Sequence, residues 1–104
     1  MDINFVQDKT ENSQDGFTLL YKIDGQDIDL LVSRTLLGII GVEAHTTKDL
    51  FEQVKFQPFI ESAINRYGKT EDPIKEIVID GNGAQVNGKI TYTSNEVKQF
   101  FAKK

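Results

Sequence analysis

The chain contains no cysteine and no tryptophan, only two prolines, and a single histidine, His45. Without cysteine there is no disulfide, no thiol nucleophile and no cysteine-ligated zinc. With one histidine, a multi-histidine metal site would need symmetry-related chains. The formal net charge of −4 has the wrong sign for coating nucleic-acid phosphates. The most apolar stretch, Leu36 to Val42, includes two glycines and falls far short of the roughly 20 residues that span a bilayer. Asp2 stands where a secretory leader would carry a basic region, and no apolar run of leader length follows. There is no Asn-X-Ser/Thr sequon. These absences predict a soluble, cytoplasmic protein with no membrane or nucleic-acid partner and no cofactor.

What is present is an ordinary globular balance: 104 residues, 38% hydrophobic and 27% charged. That length suits one domain over residues 1–104. Seven Phe and three Tyr supply the large side chains of a core. Charge is uneven. Residues 1–52 carry a net −6 and residues 53–104 a net +2. One reading is a solvated surface with no role; the other is an acidic face that steers a basic partner.

The clearest local signal is Asp24-Gly25 between two alternating segments, Phe17 to Ile23 and Gln26 to Val32. A two-residue hairpin turn needs positive φ at both central positions, which Asp-Gly supplies. That turn sets Ile23 opposite Gln26, Tyr21 opposite Ile28, Leu19 opposite Leu30 and Phe17 opposite Val32. The other face pairs Lys22 with Asp27, Leu20 with Asp29 and Thr18 with Leu31. A slip of one residue would turn the apolar set toward water, so pattern and turn chemistry agree independently.

Around this ribbon, Ile3 to Val6 reads as a short strand and Asp8 to Gly16 as a mobile polar loop. Ser33 caps a short helix through Ile40, with Gly41 at its left-handed exit. Thr46 or Thr47 caps a second helix carrying Leu50, Phe51 and Val54. Pro58 then interrupts, and a fresh stripe of Phe56, Phe59, Ile60, Ala63, Ile64 and Tyr67 follows, so two helical pieces are expected to meet near Gln57. Gly68 ends the second piece. Ile74 to Ile79 reads as a strand and Asp80 to Gly83 as a turn. Asn87-Gly88 joins Ala84–Val86 to Lys89–Thr93 as a second hairpin. Thr93 with Glu96 forms a capping box for a last helix bearing Val97, Phe100 and Phe101, closed by Lys103 and Lys104. The fold class is α+β: an antiparallel sheet of four to five strands built from two hairpins, two or three helices between them, and a C-terminal helix packed on one face.

Motifs that could carry chemistry are few. Gly68-Lys69-Thr70 imitates the end of a phosphate loop, but Ala63 stands where that loop needs its first glycine, and the tripeptide leaves a helix instead of opening one. Asp80-Gly81-Asn82-Gly83 imitates a calcium loop, yet Ala84 and Thr91 occupy ligand positions. His45 has Glu43 two residues away, a candidate for general-base work that lacks a nucleophile beside it. Asp27 and Asp29 share a strand face at a spacing of about 7 Å, which suits a cation or, for Asp27, an ion pair with Lys22. Leu20 and Leu31, with Val78 in the later strand, break an otherwise polar outer face. They are either scattered surface apolars or a patch covered by a partner, a second copy or the amino-terminal segment.

Ile3-Asn4-Phe5, Ile23-Asp24-Gly25-Gln26, Leu31-Val32-Ser33 with Leu36 and Leu37, Phe51 with Lys55, Ile60 with Ala63-Ile64, and Ile77-Val78-Ile79 together resemble the small bacterial family catalogued as domain of unknown function 1488. The resemblance runs from Ile3 to Ile79. It implies a small bacterial α+β protein and brings no activity or site residues with it. The sequence therefore predicts a non-enzymatic binding or regulatory domain acting through protein–protein contact or self-association. Its partner surface comprises Leu20, Leu31, Val78, Asp27 and Asp29, with no catalytic, cofactor or metal residues assigned. The alternative is a small enzyme or accessory subunit using His45 with Glu43.

Overall fold

The computed structural model describes residues 1–11, 16–68 and 72–102. Residues 12–15 of the loop predicted from Asp8 to Gly16, together with Lys69, Thr70, Lys103 and Lys104, lie outside the described residues, and Asp8 and Gly16 themselves lie in strands instead of the loop. The chain is α+β. A six-stranded sheet comprises β1 (Ile3–Asp8), β2 (Gly16–Ile23), β3 (Gln26–Ser33), β4 (Glu76–Asp80), β5 (Gly83–Val86) and β6 (Lys89–Tyr92), lying side by side in chain order. Between β3 and β4 run α1 (Arg34–Ile39), α2 (Thr47–Gln53) and α3 (Phe56–Tyr67), and α4 (Ser94–Ala102) closes the chain.

The β2–β3 ribbon has the predicted register throughout: Tyr21 opposes Ile28, Leu19 opposes Leu30 and Phe17 opposes Val32. Asp24 and Gly25 take φ of 48° and 85°, as the tight turn requires. Asn87 and Gly88 do the same for β5–β6 at 50° and 84°.

Four expectations need correction. The sheet has six strands, not four or five. It is also not wholly antiparallel, because β3 and β4 run parallel, Asp29 beside Glu76 through Val32 beside Ile79. Parallel neighbours need a long crossover, and α1–α3 supply it. Strand β4 starts at Glu76, two residues later than the β-branched run suggests. The Asn87 side chain is the reason: its Oδ1 accepts from the Lys75 and Glu76 amides at 2.8 and 3.3 Å, and its Nδ2 donates to the Pro73 carbonyl at 3.0 Å. Finally, the break between α2 and α3 falls at Val54 and Lys55, which are extended, not near Gln57. Pro58 is the third residue of α3, where its missing N–H removes no helical hydrogen bond.

The caps hold as read. The Ser33 hydroxyl accepts from the Leu36 amide and the Thr46 hydroxyl from the Asp49 amide, each at 3.1 Å. Thr93 and Glu96 exchange both bonds of a capping box, at 3.0 and 3.3 Å. Alternation on the strands puts Phe17, Leu19, Tyr21, Ile23, Ile28, Leu30, Val32, Ile77, Ile79, Ala84, Val86 and Tyr92 on one face. The helices bring Leu36, Leu37, Leu50, Phe56, Phe59, Ile60, Ala63 and Val97 to the same core. Phe59 is wholly buried, its ring 5.0 Å from both Phe100 and Phe101 and 5.1 Å from Tyr92. Arg66 ties this end together. Its guanidinium lies 3.8 Å from the Tyr92 ring centroid and donates to the Thr91 carbonyl at 3.1 Å and to Glu96 at 2.8 Å. The Glu96 bond holds Arg66 even more firmly charged. The Thr93 amide, then Arg66, hold the Glu96 carboxyl below its usual range. No helix among the described residues is long and apolar enough to cross a membrane.

Candidate functional site

All the core-forming side chains of the strands point to the helical side. The residues between them point the other way, and none of these belongs to the core cluster or packs against it. This outer face is where the predicted site residues fall. Pairing across the sheet sets Thr18, Leu31, Val78 and Gln85 in one row, continued by Ile90 on β6. The next row runs Gln7, Leu20, Asp29 and Glu76. Leu31 and Val78 are direct neighbours; Leu20 sits one row along, opposite Asp29. All three are half-buried. A shallow depression of about 250 Å³ lies against Thr18, Leu31, Val78 and Asp80.

The amino-terminal segment covers part of this surface. Lys9 extends the β1 pairing, its amide donating to the Thr18 carbonyl at 2.8 Å. Its ammonium reaches Asp29 on β3 at 3.1 Å. To do so its methylene stem must cross β2, on the side where Leu20 points, which is how a long lysine shields apolar surface. Lys22 stands 3.8 Å from Asp27, the predicted cross-strand pair. Each of the two aspartates thus has its own ammonium. No group of three or more metal-ligating side chains occurs among the described residues.

Asp80 is an acid of the turn. Its Oδ1 accepts from the Asn82 amide at 2.8 Å and from the Gln85 side chain at 3.3 Å, which closes the tight bend the sequence suggested. Gly83, in that bend, has φ of 110°, and a β-carbon there would sit 2.1 Å from the Tyr92 carbonyl oxygen. Asp8, on the helical side, accepts from the Thr47 hydroxyl and from Thr10. Burial opposes its ionisation, but the bonds from Thr47 and Thr10 prevail and hold its carboxyl below the usual value.

His45 and Glu43 do come together, Nε2 and Oε1 being 3.8 Å apart, with side chains 80% and 90% exposed. They stand in the loop between α1 and α2, away from the outer sheet face.

Sequence reasoning missed Ile90, which is 58% exposed and extends the apolar row to the edge strand. The signal was available. The Asn87-Gly88 turn pairs Val86 with Lys89 and therefore Gln85 with Ile90, so Ile90 takes the outward side of Gln85. It also missed Glu76, which the parallel pairing alone brings beside Asp29.

No protein family, curated protein or solved structure matches the chain.

Proposed function

We propose that the protein is a binding or regulatory domain that acts through protein–protein contact, using the outer face of its sheet. The observation that carries this reading is the Leu31–Val78 pair, set side by side on the outer face and outside the core cluster of the described residues. Leu20 and Ile90 widen the apolar strip. Asp27, Asp29, Glu76 and Asp80 border it, and among the described residues Lys22 and Lys9 form ion pairs with the first two alone. The surplus is acidic. A second copy would bring the same surplus with it, so a basic protein surface is the better complement. An apolar centre with a charged border is the usual anatomy of such a contact. The likeness of Ile3 to Ile79 to the domain-of-unknown-function family is part of the same proposal and adds no activity to it.

The test uses immobilised wild-type protein beside the Leu31→Ser/Val78→Ser double variant. The expected result is capture of a basic protein by the wild type that weakens as salt rises and is lost in the variant. Equal capture by both, or a strict monomer in light scattering at high concentration with no salt-sensitive partner, overturns the reading.

A further inference from the structure

On the helical side of the sheet, at the β1 edge, four rings meet around a cleft of about 220 Å³. Phe5 packs edge-on against Tyr21 and Phe51, with centroids 5.6 and 4.9 Å apart. Phe51 continues to Phe56 at 6.5 Å. Phe5 is nevertheless 40% exposed, because one side of its ring borders the cleft. A volume of this size lies below the roughly 300 Å³ floor of pockets for drug-sized molecules, so it suits a single ring.

Several groups at this cleft can donate. Tyr21 is only 3% exposed, yet its hydroxyl has no hydrogen-bond partner among the described residues. Nor is that oxygen sealed from solvent, since no buried side-chain polar atom is left unpaired. Tyr21 is one of the residues that line this cleft. Burial pushes its pKa up to about 12, which keeps it a proton donor. The twelve-residue helix α3 begins at the same place. Lys55 holds its cap position and makes no side-chain capping bond. The Phe56 and Gln57 amides, first and second in the helix, have no acceptor within it, and Pro58 has no N–H. The Gln57 side chain is engaged elsewhere, donating to the Ile3 carbonyl at 3.0 Å. The Lys55 ammonium forms none of the ion pairs seen among the described residues.

We propose that this cleft binds a small single-ring aromatic monocarboxylate, its ring among Phe5, Phe51 and Phe56 and its carboxylate facing Lys55, the Phe56 and Gln57 amides and the Tyr21 hydroxyl. The helix start and the ammonium together favour an anion. The ring walls reject a bare one such as acetate. This site is independent of the outer sheet face.

Phenylacetate, phenylacetamide and acetate serve as probes, titrated separately into isotopically labelled protein and followed by NMR. Phenylacetate is expected to give saturable shifts at Phe5, Phe56 and Gln57, and to bind at least about tenfold more tightly than either control. Lys55→Gln and Tyr21→Phe should each weaken phenylacetate by about three- to tenfold. Tyr21→Phe should leave the thermal unfolding midpoint in place at neutral pH, because the lost hydroxyl has no hydrogen-bond partner among the described residues. Leu31→Ser/Val78→Ser should bind phenylacetate as the wild type does, which separates this site from the proposed protein contact. Absence of saturable shifts, equal binding of phenylacetamide, or unchanged affinity in both single variants overturns the proposal.

Discussion

Leu30 and Leu31 are consecutive in β3, yet Leu30 is 1% exposed inside the core while Leu31 stands half-open on the reverse face. The backbone treats them alike, and both have a neighbour on β4: Ile77 for Leu30, Val78 for Leu31. The difference is what lies above them. Leu30 belongs to a cluster that α1 to α4 complete; Leu31 neither belongs to that cluster nor packs against it. A strand exposes every second residue to whatever the rest of the chain provides. Among the described residues the helices pack on one side only, and the apolar residues on the other side stay outside the core cluster.

Truncation should expose that asymmetry first. Leu30→Ala is expected to lower the unfolding free energy by about 2–5 kcal/mol, read from urea midpoints, because it empties a packed site. Leu31→Ala should cost less than about 1 kcal/mol in the same measurement. Equal losses at the two positions would mean that the outer face is as well packed as the inner one.

Alkali sharpens the contrast between faces, because Tyr21 is an inward ring with an ionisable tip. Its folded pKa of about 12 lies above the ordinary value of 10.0. The stability it contributes is therefore complete below pH 10 and drains away as the pH rises toward 12. We expect a loss of about 1–2 kcal/mol across that window, discounted because solvent reaches the hydroxyl. Tyr21→Phe should flatten it in chemical unfolding at pH 9 and 11.5. Acid probes a weaker element. Glu96 sits below its ordinary pKa, so the Arg66–Glu96–Thr93 clasp is intact above that value and loosens as pH falls through the lowered one. Faster amide exchange in the first turn of α4 at pH 3 than at pH 6, with the core amides unchanged, is the expected record. The smallest effect belongs to the outer-face pair: Asp27→Asn should leave the unfolding midpoint unmoved, since Lys22 and Asp27 are both mostly exposed.

The same asymmetry explains what the amino-acid sequence disclosed. The β2–β3 register was legible because two separate constraints, the Asp24-Gly25 turn and the alternation on either side, demand the same alignment. Helix caps at Ser33, Thr46 and Thr93 were legible because they are satisfied within three residues. The parallel contact of β3 with β4 was not, since nothing near Asp29 or Glu76 specifies a neighbour more than 40 residues away. Nor was the true start of β4, which depends on Asn87 reaching back from another turn. Of the candidate surface, Leu20, Leu31 and Val78 could be assigned by counting alternate positions, and Ile90 would have followed from the same count. The aromatic cleft could not, because Phe5, Tyr21, Phe51 and Phe56 come from four elements that only tertiary packing assembles.

The order of strands also divides the sheet into two meanders, β1–β3 and β4–β6, each of strands adjacent in sequence and joined along a single seam of four residue pairs. Short loops close cheaply and quickly, whereas the seam must wait for the helices to bring distant segments together. Each triplet can zip by itself, so assembly of this molecule is expected to end, and forced rupture to begin, along the line where Leu31 meets Val78.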